Sequence, residues 1–143
     1  MPAIQGRTRV QIRQHVGRAL GAAYVSAATS SGSTTTLIDN TLVLGGADTH
    51  IGKWIRFTSG TNSGLVRRVT DSAISSNVTT LTFMPAATAS TASESYELWD
   101  GAYNPSSIDD FMNQSIISAT GWVYDLLENI SLHGDKRQAR FNI

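Results

Sequence analysis

The 143-residue chain contains no cysteine. That excludes disulfides, and cysteine-based metal or redox chemistry with them. Long apolar runs are missing too: no stretch approaches the roughly 20 residues of a membrane span. The first ten residues, MPAIQGRTRV, lack the apolar centre of a signal peptide. The expectation is a soluble product made in the cytoplasm, with no membrane partner. Charge is scarce, at 15% of residues with a formal net charge of zero, while Ser, Thr, Ala and Gly are abundant. Such a surface suits a chain covered by copies of itself or by partners, and equally a plain Thr-rich β-domain.

The few charges are unevenly placed. Before Asp39 the only ones are Arg7, Arg9, Arg13 and Arg18. From Glu94 to Glu128 the charges are all acidic: Glu94, Glu97, Asp100, Asp109, Asp110, Asp125 and Glu128. This polarity fits head-to-tail contacts between subunits, with Arg9 and Arg13 as interaction residues. It fits as well two terminal segments lying together within one subunit.

What is present separates into three parts. Residues 8–20 read as a helix, with Ile12, Val16, Ala19 and Leu20 forming an apolar stripe. Thr8 is its cap and Gly21 its stop. Residues 22–33 are small and polar and read as a connector. Residues 34–99 read as an inserted β-domain, with strands expected at 35–38, 41–44, 54–58, 65–70, 78–83 and 95–99. Turn residues separate them, among them Asp39-Asn40, Gly45-Gly46, Ser59 to Gly64, and Ser75-Ser76-Asn77. Such spacing predicts a small antiparallel barrel or sandwich. A second, long helix is expected over 106–130, with Asp109 and Asp110 in its first turn, where carboxylates oppose the helix dipole. Ile108, Phe111, Met112, Ala119, Trp122, Leu126 and Ile130 trace its apolar stripe. The two helices are expected to pack together, Ile12, Val16 and Leu20 against Phe111, Ile116 or Ala119 and Trp122. The predicted fold is thus α+β: a helical frame carrying an inserted small antiparallel β-barrel or sandwich, in a single chain unit spanning 1–143.

Residues 134–143 read as an extended tail. Lys136, Arg137 and Arg140 keep it soluble, and Phe141 and Ile143 point to one side when extended, as a docking strand requires. Arg140, Phe141 and Ile143 are therefore further interaction candidates.

Chemistry is harder to find. His15, His50 and His133 sit in separate segments without metal-ligand spacing. Asp109 and Asp110 diverge by about 100° on a helix, which favours a charge role over a catalytic pair. Gly60-Thr61-Asn62-Ser63-Gly64 lacks the Lys-Ser/Thr of a phosphate loop and joins strand to strand. Adjacent Arg67 and Arg68 fall on opposite strand faces, which does not build a nucleic-acid platform. Trp54, Trp99 and Trp122 read as core or interface anchors. The expectation is a protein that is no enzyme and uses no cofactor or metal.

Three sets of residues carry a family resemblance. The first helix opens ArgThrArgValGlnIleArg. The second opens SerSerIleAspAspPheMetAsnGlnSerIleIle, with Asp109, Asp110 and Asn113. Together they resemble the helical frame of tailed-bacteriophage head-to-tail connector (adaptor, or head-completion) proteins. The middle, ThrLeuIleAsp, GlyLysTrpIleArgPheThrSerGly, SerGlyLeuValArgArgValThrAsp and SerTyrGluLeuTrp, is similar to a small β-domain that recurs in phage virion proteins, tail-fibre components included. The resemblance implies a structural protein in the neck or tail of a virion, made in the host cytoplasm. It implies a homo-oligomeric ring, typically a dodecamer, between portal and tail proteins, with passing contact with DNA in the channel. A tail-fibre or baseplate attachment subunit, and a carbohydrate-binding accessory module, are the alternative readings.

Overall fold

A computed structural model of the chain describes residues 6–27, 32–42 and 45–119. The element order is α1 (Arg9–Ala19), β1 (Ala23–Ala27), β2 (Thr36–Asp39), β3 (Trp54–Phe57), β4 (Val66–Ser75), β5 (Val78–Met84) and β6 (Ser95–Trp99). A second helix, α2, follows over residues 105–119. The chain divides into two compact units, Met1–Ile108 and Asp109–Ile143.

The six strands form one antiparallel sheet in the order β1-β6-β3-β4-β5-β2. Alternation drives it. β5 buries Thr79, Leu81 and Phe83 in turn, and β3 buries Ile55 and Phe57. These residues join Leu37, Leu42, Val69, Tyr96 and Leu98 in a single core, where the Phe57 and Phe83 rings meet edge to face at 5.7 Å. Polar bonds draw the two ends of the sheet together over this core. Tyr24 Oη on β1 donates to the Thr41 carbonyl at 3.4 Å, and Tyr96 Oη on β6 donates to Asp39 Oδ2 at 2.6 Å. Asp39 Oδ1 also accepts from the Thr41 amide and hydroxyl, both at 2.6 Å. The Asp39-Asn40 turn is thus a buried anchor as well as a reversal. Ser76 and Asn77, both at positive φ, close the β4–β5 hairpin.

The expected helical frame with an inserted β-domain is wrong: the sheet is the frame. Residues 23–27, read as connector, are a strand paired with β6 from Ala23↔Trp99 to Ala27↔Ser95. α1 does not use its Ile12 and Leu20 stripe, both of which are exposed; it buries Arg13 and Gly17. The physical reason lies in β6, which buries both of its faces. Tyr96 and Leu98 point into the core, while Glu97 and Trp99 point outward and are buried too. α1 lies over that outer side, where a polar and a small residue match what they meet. Of the long helix expected over 106–130, only residues up to 119 are described. The expected packing partner Trp122 and the tail at 134–143 lie outside the described residues.

Both helix starts follow from local sequence. Thr8 Oγ1 accepts from the Gln11 amide, and Gln11 Oε1 accepts from the Thr8 amide, a reciprocal capping box. α1 ends where Gly21, at φ 63°, lets the Ala22 amide reach the Gly17 carbonyl and the Gly21 amide reach that of Arg18. α2 begins at Pro105, one residue before the expected start at 106. Asn104 Oδ1 accepts from the Ser106 amide, and Pro105 fills the first helical position.

Candidate functional site

Beneath α1 lies a buried polar seam. Arg13 Nε and Nη2 donate to Glu97 Oε2 and Oε1 at 3.0 and 3.1 Å, a two-pronged pair with both side chains nearly sealed from solvent. Glu97 also accepts from Trp99 Nε1 at 2.9 Å and Gln14 Nε2 at 3.2 Å. Gly17 brings the helix close: a Cβ there would fall 2.5 Å from Ala23 Cβ and 2.7 Å from Trp99 Cη2. Arg13, expected at an intersubunit contact, thus faces inward and holds α1 to the sheet. Arg9 is exposed on α1. Arg140, Phe141 and Ile143 lie outside the described residues.

The glycine-rich turn at 60–64 is held by its own side chains. Asn62 is fully buried. Its Oδ1 accepts from the Thr88 and Ala89 amides, and its Nδ2 donates to the Ala89 carbonyl and Glu94 Oε2. Glu94 Oε1 in turn accepts from the Asn62 amide at 3.1 Å. Two of the acids in the 94–128 run, Glu94 and Glu97, are therefore internal.

Two clefts open on the first unit. One, of about 430 Å³, is lined by Tyr24, Leu42, Thr49, His50, Lys53 and Asp100 among others. His50 is buried there, with Nδ1 3.3 Å from Lys53 Nζ. Asp100 Oδ1 accepts from the Ala102 amide. The other, of about 580 Å³, runs along α1 past Arg7, Thr8, Gln11, Gln14, His15 and Arg18. Its lining includes the guanidinium groups of Arg7, just before the helix, and Arg18, with the imidazole of His15 beside Arg18 on α1, an arrangement suited to anions. Among the described residues, no three His, Cys, Asp or Glu side chains gather as a metal site. No described helix is long and apolar enough to cross a membrane.

The outer face of the sheet beyond α1 carries a cross-strand row. Trp99, Trp54, Arg68 and Met84 are register partners on β6, β3, β4 and β5. Trp99 is covered. Trp54 donates Nε1 to the Gly101 carbonyl at 3.2 Å, and the Arg68 guanidinium sits 5.0 Å from its ring centroid. Arg68 and Met84 are exposed, Met84 at 57%. On α2 the most exposed large apolar side chains are Phe111, at 71%, and Ile117, at 72%. Asp110, Phe111, Gln114, Ile117 and Ser118 recur at helical spacing, and all are exposed.

No family model, curated protein or solved structure matches this chain.

Proposed function

We propose that the chain is a structural subunit of a tailed-bacteriophage virion, a head-to-tail connector that joins portal to tail proteins as a ring of identical copies. The supporting observation is the exposed stripe on α2. A helix that carries Phe111 and Ile117 on its solvent side leaves apolar area that gains about 1.5–3 kcal/mol per large side chain when covered. The same segment holds the Asp-Asp and Asn pattern on which the resemblance rests. The roles of the buried polar residues are consistent with a building block. Arg13, Glu97, Asn62, Glu94 and Asp39 all spend their hydrogen bonds on fixing the fold.

A second reading, a tail-fibre or baseplate attachment subunit, is favoured by the sheet taking the place of the helical frame. The carbohydrate-binding reading gains nothing from the tryptophans described. Trp99 is buried and Trp54 lies beneath Arg68. Copy number in purified particles separates the readings. The connector reading expects the protein in every particle at the stoichiometry of one closed ring at the neck. Trimeric stoichiometry at fibres would favour the second reading, and absence from particles would refute both.

A further inference from the structure

We infer that the row Trp54–Arg68–Met84 on the outer face of the sheet is the seat for helix α2 of a second copy of this chain. The inference rests on the ring-forming function proposed above and names the two surfaces that meet.

The two surfaces are complementary in charge. Arg68 is held in place over the Trp54 ring, with its outer side exposed. The ion pair formed among the described residues is Arg13–Glu97, so no described carboxylate neutralises Arg68. On α2, Asp110 is exposed and likewise makes no ion pair with a described residue. An arginine pre-set on an aromatic face loses little side-chain freedom when a carboxylate arrives.

They also match in apolar content. Met84 beside Arg68, and the partly exposed Trp54 ring, offer the side-chain types enriched at interface centres: Met, Trp and Arg. Phe111 follows Asp110 directly on the exposed stripe, and a methionine sulfur accepts an aromatic edge favourably. Trp54 and Met84 each lie one strand spacing, about 5 Å, from Arg68. Phe111 is offset from Asp110 by about 1.5 Å along the helix and about 100° around it. A helix that sets Asp110 over Arg68 therefore keeps Phe111 within reach of one of these two neighbours.

Seat and helix belong to different parts of the same chain, so the contact is heterologous and repeats from copy to copy. That permits a decisive charge exchange. Arg68→Glu alone and Asp110→Arg alone each oppose like charges at every contact. Each should weaken self-association about tenfold or more, read by native mass spectrometry and sedimentation. An equimolar mixture of the two variants offers only matched contacts when copies alternate, and so does the double variant. Both should assemble as the unaltered chain does. Recovery in the mixture also shows that the single variants are folded. Phe111→Ser, in the same stripe, should weaken association without any charge change. If the single variants assemble as well as the unaltered chain, or the mixture fails to recover, this pairing is wrong while the ring reading stands. If the unaltered chain itself does not associate, the ring reading falls and the pairing with it.

Discussion

The two helices differ in what they bury: α1 seals Arg13 and Gly17 against the sheet, whereas among the described residues of α2 only Pro105 is buried. α1 has a visible apolar stripe but docks through Arg13 and Gly17, leaving Ile12 and Leu20 exposed. α2 leaves its bulkiest apolar residue, Phe111, facing solvent. The difference teaches that an apolar stripe marks a helix face that is to be covered, but not by what. Where the sheet offers Glu97 and Trp99, the helix answers with a guanidinium and a glycine. The apolar stripes of both helices remain for other surfaces.

The comparison breaks most sharply at Glu97. Glu97→Ala leaves Arg13 buried without its carboxylate, and Trp99 Nε1 and Gln14 without an acceptor. The expected loss is about 3–5 kcal/mol in urea unfolding. Replacing Arg13 and Glu97 together with Met should cost far less, since the isolated charge is then gone. A next test enlarges the helix contact. Gly17→Leu drives side-chain atoms into Ala23 and Trp99 and should destabilise by about 1–3 kcal/mol or more, seen as a lower melting temperature. Away from both helices, Asn62→Ala removes the side chain that closes the glycine-rich turn. About 2–3 kcal/mol of lost stability is expected, together with faster amide exchange at Thr88 and Ala89. The smallest change in stability is expected at α2. Phe111→Ser should shift unfolding by no more than about 0.5 kcal/mol, because the ring is exposed in the single chain. A loss as large as that at Glu97 would mean that the α2 stripe supports the fold itself, and the contrast between the helices would disappear.

The strands were legible where one face is apolar. β3, expected at 54–58, is Trp54–Phe57, and β6 spans Ser95–Trp99 as its composition suggests. β1 was not legible, because Ala, Tyr, Val and Ser after a helix stop carry no alternation of their own. It is a strand because β6 pairs with it and α1 covers the outer side of β6. β4 runs to Ser75, beyond the expected end at Thr70. The irregularity between Val69 and Asp71 shifts its register and breaks the pattern a reader would follow. The strand expected at 41–44 is not one over Thr41 and Leu42, the described part, since Leu42 instead turns into the core and its carbonyl accepts from the Thr79 hydroxyl.

The polar seam was the least legible feature. Arg13 and Glu97 are 84 positions apart, and a pair of that separation leaves no local mark. One signal was available: Glu97 interrupts Tyr96, Leu98 and Trp99, a strand otherwise composed for burial on both faces. A buried carboxylate there requires a cation or hydrogen-bond donors, though the strand itself does not say which. The polarity between the first arginines and the acidic run allows a partner in a neighbour or within the same subunit, and Arg13 takes the second course by pairing with Glu97 of its own sheet. Arg68 stood out less, because its significance comes from a register that sets it above Trp54.

The central claim is that this chain is built to assemble with itself through surfaces that a single copy leaves uncovered. Native mass measurement of the purified full-length chain across a range of concentrations tests that most directly. The account predicts a closed oligomer of one defined copy number that persists on dilution. A monomer at every concentration, unchanged when portal and tail proteins are added, would contradict it.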